Sequence, residues 1–120
     1  MEEIKLSKKE IAEAFSNGNF LITFPYLSDE IIWNVIGEKV FEGKSEVVHN
    51  CKQTSEYFKS VQTNFTTEEI IETNSRVIIQ GTGEFLRNGE RVSFITACDV
   101  YEFNANGELA KISSYCIAET

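Results

Sequence analysis

Two Asn-Gly dipeptides, Asn88-Gly89 and Asn106-Gly107, stand between long runs of β-branched and aromatic residues, and they narrow the folds open to this chain more than anything else in it. Asn-Gly favours the type I′ turn, whose two central positions both need positive φ, and that turn joins its flanking strands as a hairpin. The runs Arg76 to Leu86, Arg91 to Phe103 and Leu109 to Ala118 therefore read as consecutive antiparallel strands, with a further strand from Phe65 to Glu72 before them. An unbulged second hairpin pairs Ala105 with Glu108. Counting outward then pairs Glu102 with Lys111, Tyr101 with Ile112, Asp99 with Ser114 and Ala97 with Cys116. Because side chains alternate along a strand, Phe103, Tyr101, Asp99, Ala97, Ile112, Ser114 and Cys116 share one face.

That face is apolar except for Asp99 and its neighbour Ser114. A buried, unpaired carboxylate costs several kcal/mol as the anion. Asp99 must accordingly be neutral, hydrogen-bonded or open to a wet cavity. It is either a structural acid held by Ser114 or Tyr101, or the acid of a pocket; a single bulge would instead turn it to the other face. Gly81-Thr82-Gly83 marks a place where a strand can curve or bulge. The opposite face carries Cys98, Val100, Tyr115 and Ile117 beside the Glu102/Lys111 pair. The same unbulged count adds Phe85, Val92 and Phe94. Both faces need cover, and the helices of so short a chain can supply one side only. A second copy is expected on the other, making a homodimer through the outer sheet face.

The N-terminal half is helical at its start. Ser7-Lys8-Lys9-Glu10 is a capping box, Leu6 and Ile11 form a hydrophobic staple, and Asn17-Gly18 ends the helix. Asn19 to Phe24 predicts a short second helix capped by Asn19 and ended or bent by Pro25, the only proline. Ile31 to Ile36 reads as a strand that Lys39-Val40-Phe41 continues. From Gly43 onward Val47, Val48, Cys51, Ser55 and Phe58 recur at helical spacing. Helices first and strands after give an α+β fold built on an antiparallel sheet, in one domain over residues 1–120.

Composition removes several function classes. Eleven Lys+Arg against 19 Asp+Glu leave a net charge of −8, which repels phosphate backbones and anionic lipid, so nucleic acid is not an expected partner. The longest apolar run, Tyr115 to Ala118, falls far short of the roughly 20 residues of a membrane span, so no membrane is expected either. The charged N-terminus lacks the apolar stretch of a secretory signal, and a cytoplasmic location is expected. Cys51, Cys98 and Cys116 have no metal-ligand spacing and read as reduced thiols buried in the core. His49, the single histidine, lies off the apolar stripe of its helix. Gly81-Thr82-Gly83 lacks the context of a dinucleotide loop. No metal or cofactor is expected.

The order of elements is more specific than any of its parts. A capped helix ending Asn-Gly-Asn, a short aromatic helix, Ser-Asp-Glu before a strand, a Gly-led long helix and strands closing with Asp-x-Tyr-x-Phe-x-x-x-Gly-x-Leu run from Leu6 to Ile117. The chain resembles the nuclear transport factor two-like superfamily, in its SnoaL-like and ketosteroid-isomerase-like branch. The resemblance implies a strongly curved sheet wrapped around the N-terminal helices as a cone, with a pocket at its open end and dimerisation through the sheet. Asp99 matches the acid that ketosteroid isomerases keep protonated as a hydrogen-bond donor. The other positions depart: Ile11 stands where those enzymes place an oxyanion Tyr, and Trp33-Asn34-Val35-Ile36 carries no acid where the general base belongs. A proton shuttle between carbons needs that base, so isomerisation by that route is not expected. What remains is a small apolar ligand bearing a carbonyl or hydroxyl group, in a pocket framed by Phe15, Trp33, Val35, Cys51, Tyr101, Ser114 and Cys116. Asp99 is its polar anchor and the only catalytic candidate. A homodimeric interaction module with a closed core is the alternative.

Overall fold

In the computed structural model, which describes residues 5–119, Ser7 Oγ accepts from the Glu10 N–H at 3.1 Å and the Glu10 carboxylate accepts from the Ser7 N–H at 2.9 Å. Met1 to Ile4, which begin the charged N-terminal stretch, and Thr120 lie outside the described residues. The capping box starts α1, Lys8–Ser16, which buries Ile11, Ala12 and Phe15. A 3-10 turn, Leu21–Tyr26, follows with Pro25 inside it. Its first turn begins after Phe20 with no side-chain cap, because Asn19 stands one residue too early.

β1 (Leu27–Val35) and β2 (Lys39–Glu42) form a small hairpin, and α2 (Lys44–Ser60) buries Val47 and Cys51. β3 (Gln62–Glu72), β4 (Arg76–Arg87), β5 (Glu90–Phe103) and β6 (Leu109–Ala118) make a meander. The six strands form one curved, unclosed sheet in the order β2-β1-β6-β5-β4-β3. The sheet is mixed and not wholly antiparallel: β1 lies parallel to β6, with Trp33 beside Ile112 and Val35 beside Ser114. Parallel neighbours need a long crossover, and here α2 and the meander return the chain to the end where β1 started. Among the described residues no helix is long and apolar enough to cross a membrane.

Both hairpins depart from the unbulged count, with different consequences. At the first, Asn88 (φ 54°) and Gly89 (φ 81°) form the expected tight turn, but the register slips at Val92, so that Phe85 opposes Ser93. That bulge turns Phe85 inward, where it is buried, and corrects its expected place on the outer face. At the second hairpin the loop has three residues: Gly107 N–H bonds Asn104 O, Asn104 N–H bonds Glu108 O, and only Gly107 takes positive φ (79°). A compensating slip at Ala110 then restores the count, so Glu102 faces Lys111, Tyr101 faces Ile112, Asp99 faces Ser114 and Ala97 faces Cys116.

A third bulge, at Glu68 of β3, lies beside Gly81. A Cβ at Gly81 would collide with Thr66 O, so glycine is what lets β3 approach β4 there. The inner face of the sheet is thereby a series of transverse rows. Val77, Tyr101, Ile112, Trp33 and Phe41 form one across β4 to β2, and they pack against α1 and α2 as part of the core. Ile79, Asp99, Ser114, Val35 and Lys39 form the next.

Candidate functional site

Beyond the first row the helices no longer fill the curve of the sheet, leaving a cavity of about 540 Å³. One wall is aromatic: Phe58 of α2 packs edge-on to Phe65 at 5.2 Å and stacks with Phe85 at 5.7 Å. At the opposite end Phe15 meets Trp33 at 5.0 Å and Tyr101 at 6.0 Å, all three lining the cavity. Between these walls the sheet contributes small side chains, Gly81, Ala97 and Cys116, so the space stays open down to the backbone.

Asp99 sits at the edge of this floor, half-buried and open to the cavity. Ser16 Oγ, on the last residue of α1, lies 2.9 Å from Asp99 Oδ2 and 2.5 Å from the Tyr101 hydroxyl. Tyr101 is fully buried, and its hydroxyl also reaches Asp99 Oδ2 at 3.5 Å. Trp33 Nε1 donates to Ser114 Oγ at 3.0 Å. An indole N–H can only donate, so Ser114 accepts from it and its own proton remains available to another acceptor. The Ser16 hydroxyl donates to the ionised carboxylate, and between Ser16 and Tyr101 either oxygen can be the donor. Ser16 and Tyr101 thus converge on the same oxygen of the carboxyl, Oδ2.

Burial pushes the Asp99 carboxyl above the usual aspartate range, and hydrogen bonds from Ser114, Ser16 and Tyr101 draw it partly back. The Tyr101 phenol is raised well beyond its ordinary value, first by burial and then by the Asp99 charge. Of the three cysteines expected in the core only Cys51 is there: Cys98 is partly exposed and Cys116 exposed near the end of β6, where desolvation by the surrounding wall, Asp99 and Glu38 push its thiol up to about 11. The site thus holds one carboxyl that can offer a hydrogen bond or exchange a proton, with apolar and aromatic surface around it. Among the described residues no group of three His, Cys, Asp or Glu could hold a metal ion.

No family model matches the sequence, and no curated protein matches it. Among solved structures, an NTF2-like (nuclear transport factor two-like) protein of unknown function from Cytophaga hutchinsonii ATCC 33406 is 31% identical, over 89% of this chain and 93% of that one, with a TM-score of 0.80. The chain belongs to the NTF2-like family. Two more distant solved structures are alike in architecture alone. A putative SnoaL-like polyketide cyclase from Shewanella denitrificans OS-217 is 11% identical, over 89% and 85% of the two chains, with a TM-score of 0.70. An LEH-like epoxide hydrolase from M. tuberculosis is 17% identical, over 91% and 81%, with a TM-score of 0.68.

Within this NTF2-like cone, Phe15, Trp33, Val35, Asp99, Tyr101, Ser114 and Cys116 all border the cavity. Cys51 does not. It is sealed in the core beneath α2, where burial alone pushes its thiol up to about 12. The α2 stripe is wide enough for Cys51 to face the first row of the sheet while Phe58, further along, faces the opening. Ser16 was missed by the sequence reading, although it lies four residues beyond the buried Ala12 and continues the inward stripe of α1. A hydroxyl on such a stripe needs a partner, and the nearest inward acid is Asp99. Phe65 and Phe85 were missed as cavity residues because bulges decide which way β3 and β4 present them.

Proposed function

We propose that this NTF2-like chain binds a small, mostly apolar molecule bearing a carbonyl or hydroxyl group, with Asp99 as the polar anchor. The observation that carries the reading is a cavity of about 540 Å³ that reaches Asp99. That volume is in the range of small-molecule pockets, which are apolar with a few converging polar groups. A core closed by its own side chains would leave no such space. With the carboxyl neutral, its O–H donates to a carbonyl or phenolate; with it ionised, the carboxylate accepts from a hydroxyl. Catalysis of the steroid-isomerase kind lacks its parts: Ile11 is a core residue, and the other acid bordering the cavity, Glu38, stands at the β1–β2 turn.

A second copy over the outer sheet face belongs to the same proposal. Tyr115, Ile117 and Val92 are exposed there, a larger apolar surface than a solitary chain gains from showing to water. Cytoplasmic residence fits the free state of Cys51, Cys98 and Cys116. The binding reading is tested by thermal-shift screening against hydrophobic ketones and phenols, with wild type and Asp99→Asn in parallel. A ligand at about 100 times its dissociation constant stabilises by roughly 2.7 kcal/mol. Hits that lose most of their shift in Asp99→Asn support the anchor; a broad panel with no hit in the wild type sinks the reading.

A further inference from the structure

We infer that the cavity selects an apolar ligand that also carries an anionic group, and that Lys39 is the residue that recognises it; this rests on the binding reading above. Lys39 ends the transverse row that contains Asp99: Asp99 pairs with Ser114, Ser114 with Val35 and Val35 with Lys39. The shared register puts Lys39 on the cavity side of the sheet, and it borders the cavity. Three strand spacings separate the two, so their backbone positions stand roughly 14 Å apart along the row. Its Nζ lies 5.1 Å from the centroid of Phe41, another cavity residue, which itself packs against Trp33 at 5.7 Å. The charge is thereby held on the cavity wall.

Lys39 is the one Lys or Arg bordering the cavity among the described residues. The ion pairs of those residues are Lys59–Glu56, Arg76–Glu102, Arg91–Glu84 and Arg91–Glu119, and Lys39 is in none of them. Glu38, its neighbour in the turn, also borders the cavity, and its field acts on Cys116 of β6. An anionic group beside Phe41 meets the Lys39 ammonium as an unpaired cation. The chain's net charge of −8 opposes any anion elsewhere, so a preference for one has to arise at this spot.

A matched pair of fluorescent probes tests this. Anilinonaphthalene sulfonate and phenylnaphthylamine share one apolar scaffold and differ by the anionic group. The sulfonate is expected to bind the wild type about fivefold more tightly than the neutral probe, the scale of one partly solvated ion pair. Lys39→Gln should erase that preference while leaving phenylnaphthylamine unchanged. Ala97→Phe and Ser93→Phe, which fill the floor and the mouth, should abolish binding of both probes in whichever variant keeps its far-ultraviolet circular dichroism. Equal affinities, or a preference that survives Lys39→Gln, overturn the role of Lys39 and leave the binding reading standing. Probes that bind nowhere, or bind undiminished in a folded cavity-filling variant, overturn both.

Discussion

The two faces of the sheet are made by the same strands and handle charge in opposite ways. On the inner face Asp99 is taken from water and pushed above its ordinary range by burial. On the outer face Glu84 of neighbouring β4 accepts from Arg91 at 2.6 and 3.0 Å, and is held below its ordinary range, chiefly by that hydrogen bond. One acid is kept where ionisation is costly, the other where it is assisted. A raised carboxyl is therefore a local product of the cavity and not of the chain's net charge, which both acids share.

The strongest contrast between the faces is in packing. Ile112 is 0% exposed and Ile117 is 72% exposed, five residues apart on β6 and on opposite faces. Ile112→Ala should cost about 2–5 kcal/mol in urea unfolding. Ile117→Ala should cost under about 0.5 kcal/mol for the fold of a single chain. Equal losses would mean that the two faces are not distinct. Ile117→Glu probes the outer face more severely: light scattering should show a fall from dimer to monomer mass with far-ultraviolet circular dichroism unchanged, and a monomeric wild type at micromolar concentration would end the dimer proposal.

The pH dependence comes next. A carboxyl whose folded pKa is raised binds its proton more tightly in the folded state, so its contribution is full below the unfolded value of about 3.9 and is lost as pH rises through the folded value. Asp99→Asn should therefore gain stability relative to wild type as pH climbs from acid to neutral, by about 1.4 kcal/mol for every pH unit that separates the folded from the unfolded value. Urea midpoints that move in parallel for the two proteins would contradict this. Glu84→Gln should show the opposite sign and the weakest effect. Its loss relative to wild type should be present at neutral pH, fade as pH falls through the lowered glutamate range, and shrink in high salt, because the pair is exposed.

Much of this contrast was legible in the residues. The Asn-Gly turns and the strand alternation placed Asp99 opposite Ser114 and on the apolar face. The second hairpin reached that register through two offsets that cancel, a three-residue loop and a slip at Ala110. Where nothing cancelled, at Val92, the count failed and Phe85 changed faces. Bulges are set by how strands twist against their neighbours, and a single sequence carries little trace of that. The parallel seat of β1 beside β6 was hidden for a related reason: it depends on where a long crossover returns, not on any local pattern. Ser16 was readable from helical spacing, but its meaning required knowing that the end of α1 lies over Asp99. Cys51 shows the limit of a stripe, which tells that a residue faces inward but not whether it meets core or cavity.

Whether Asp99 can offer a proton to the cavity is decided by a carbon-13 titration of its carboxyl carbon in the unliganded protein. The midpoint should lie clearly above the model-peptide value of about 3.9, and move higher still in Ser16→Ala as one stabilising hydrogen bond is removed. A midpoint at or below that value, unmoved by Ser16→Ala, would contradict a protonated Asp99.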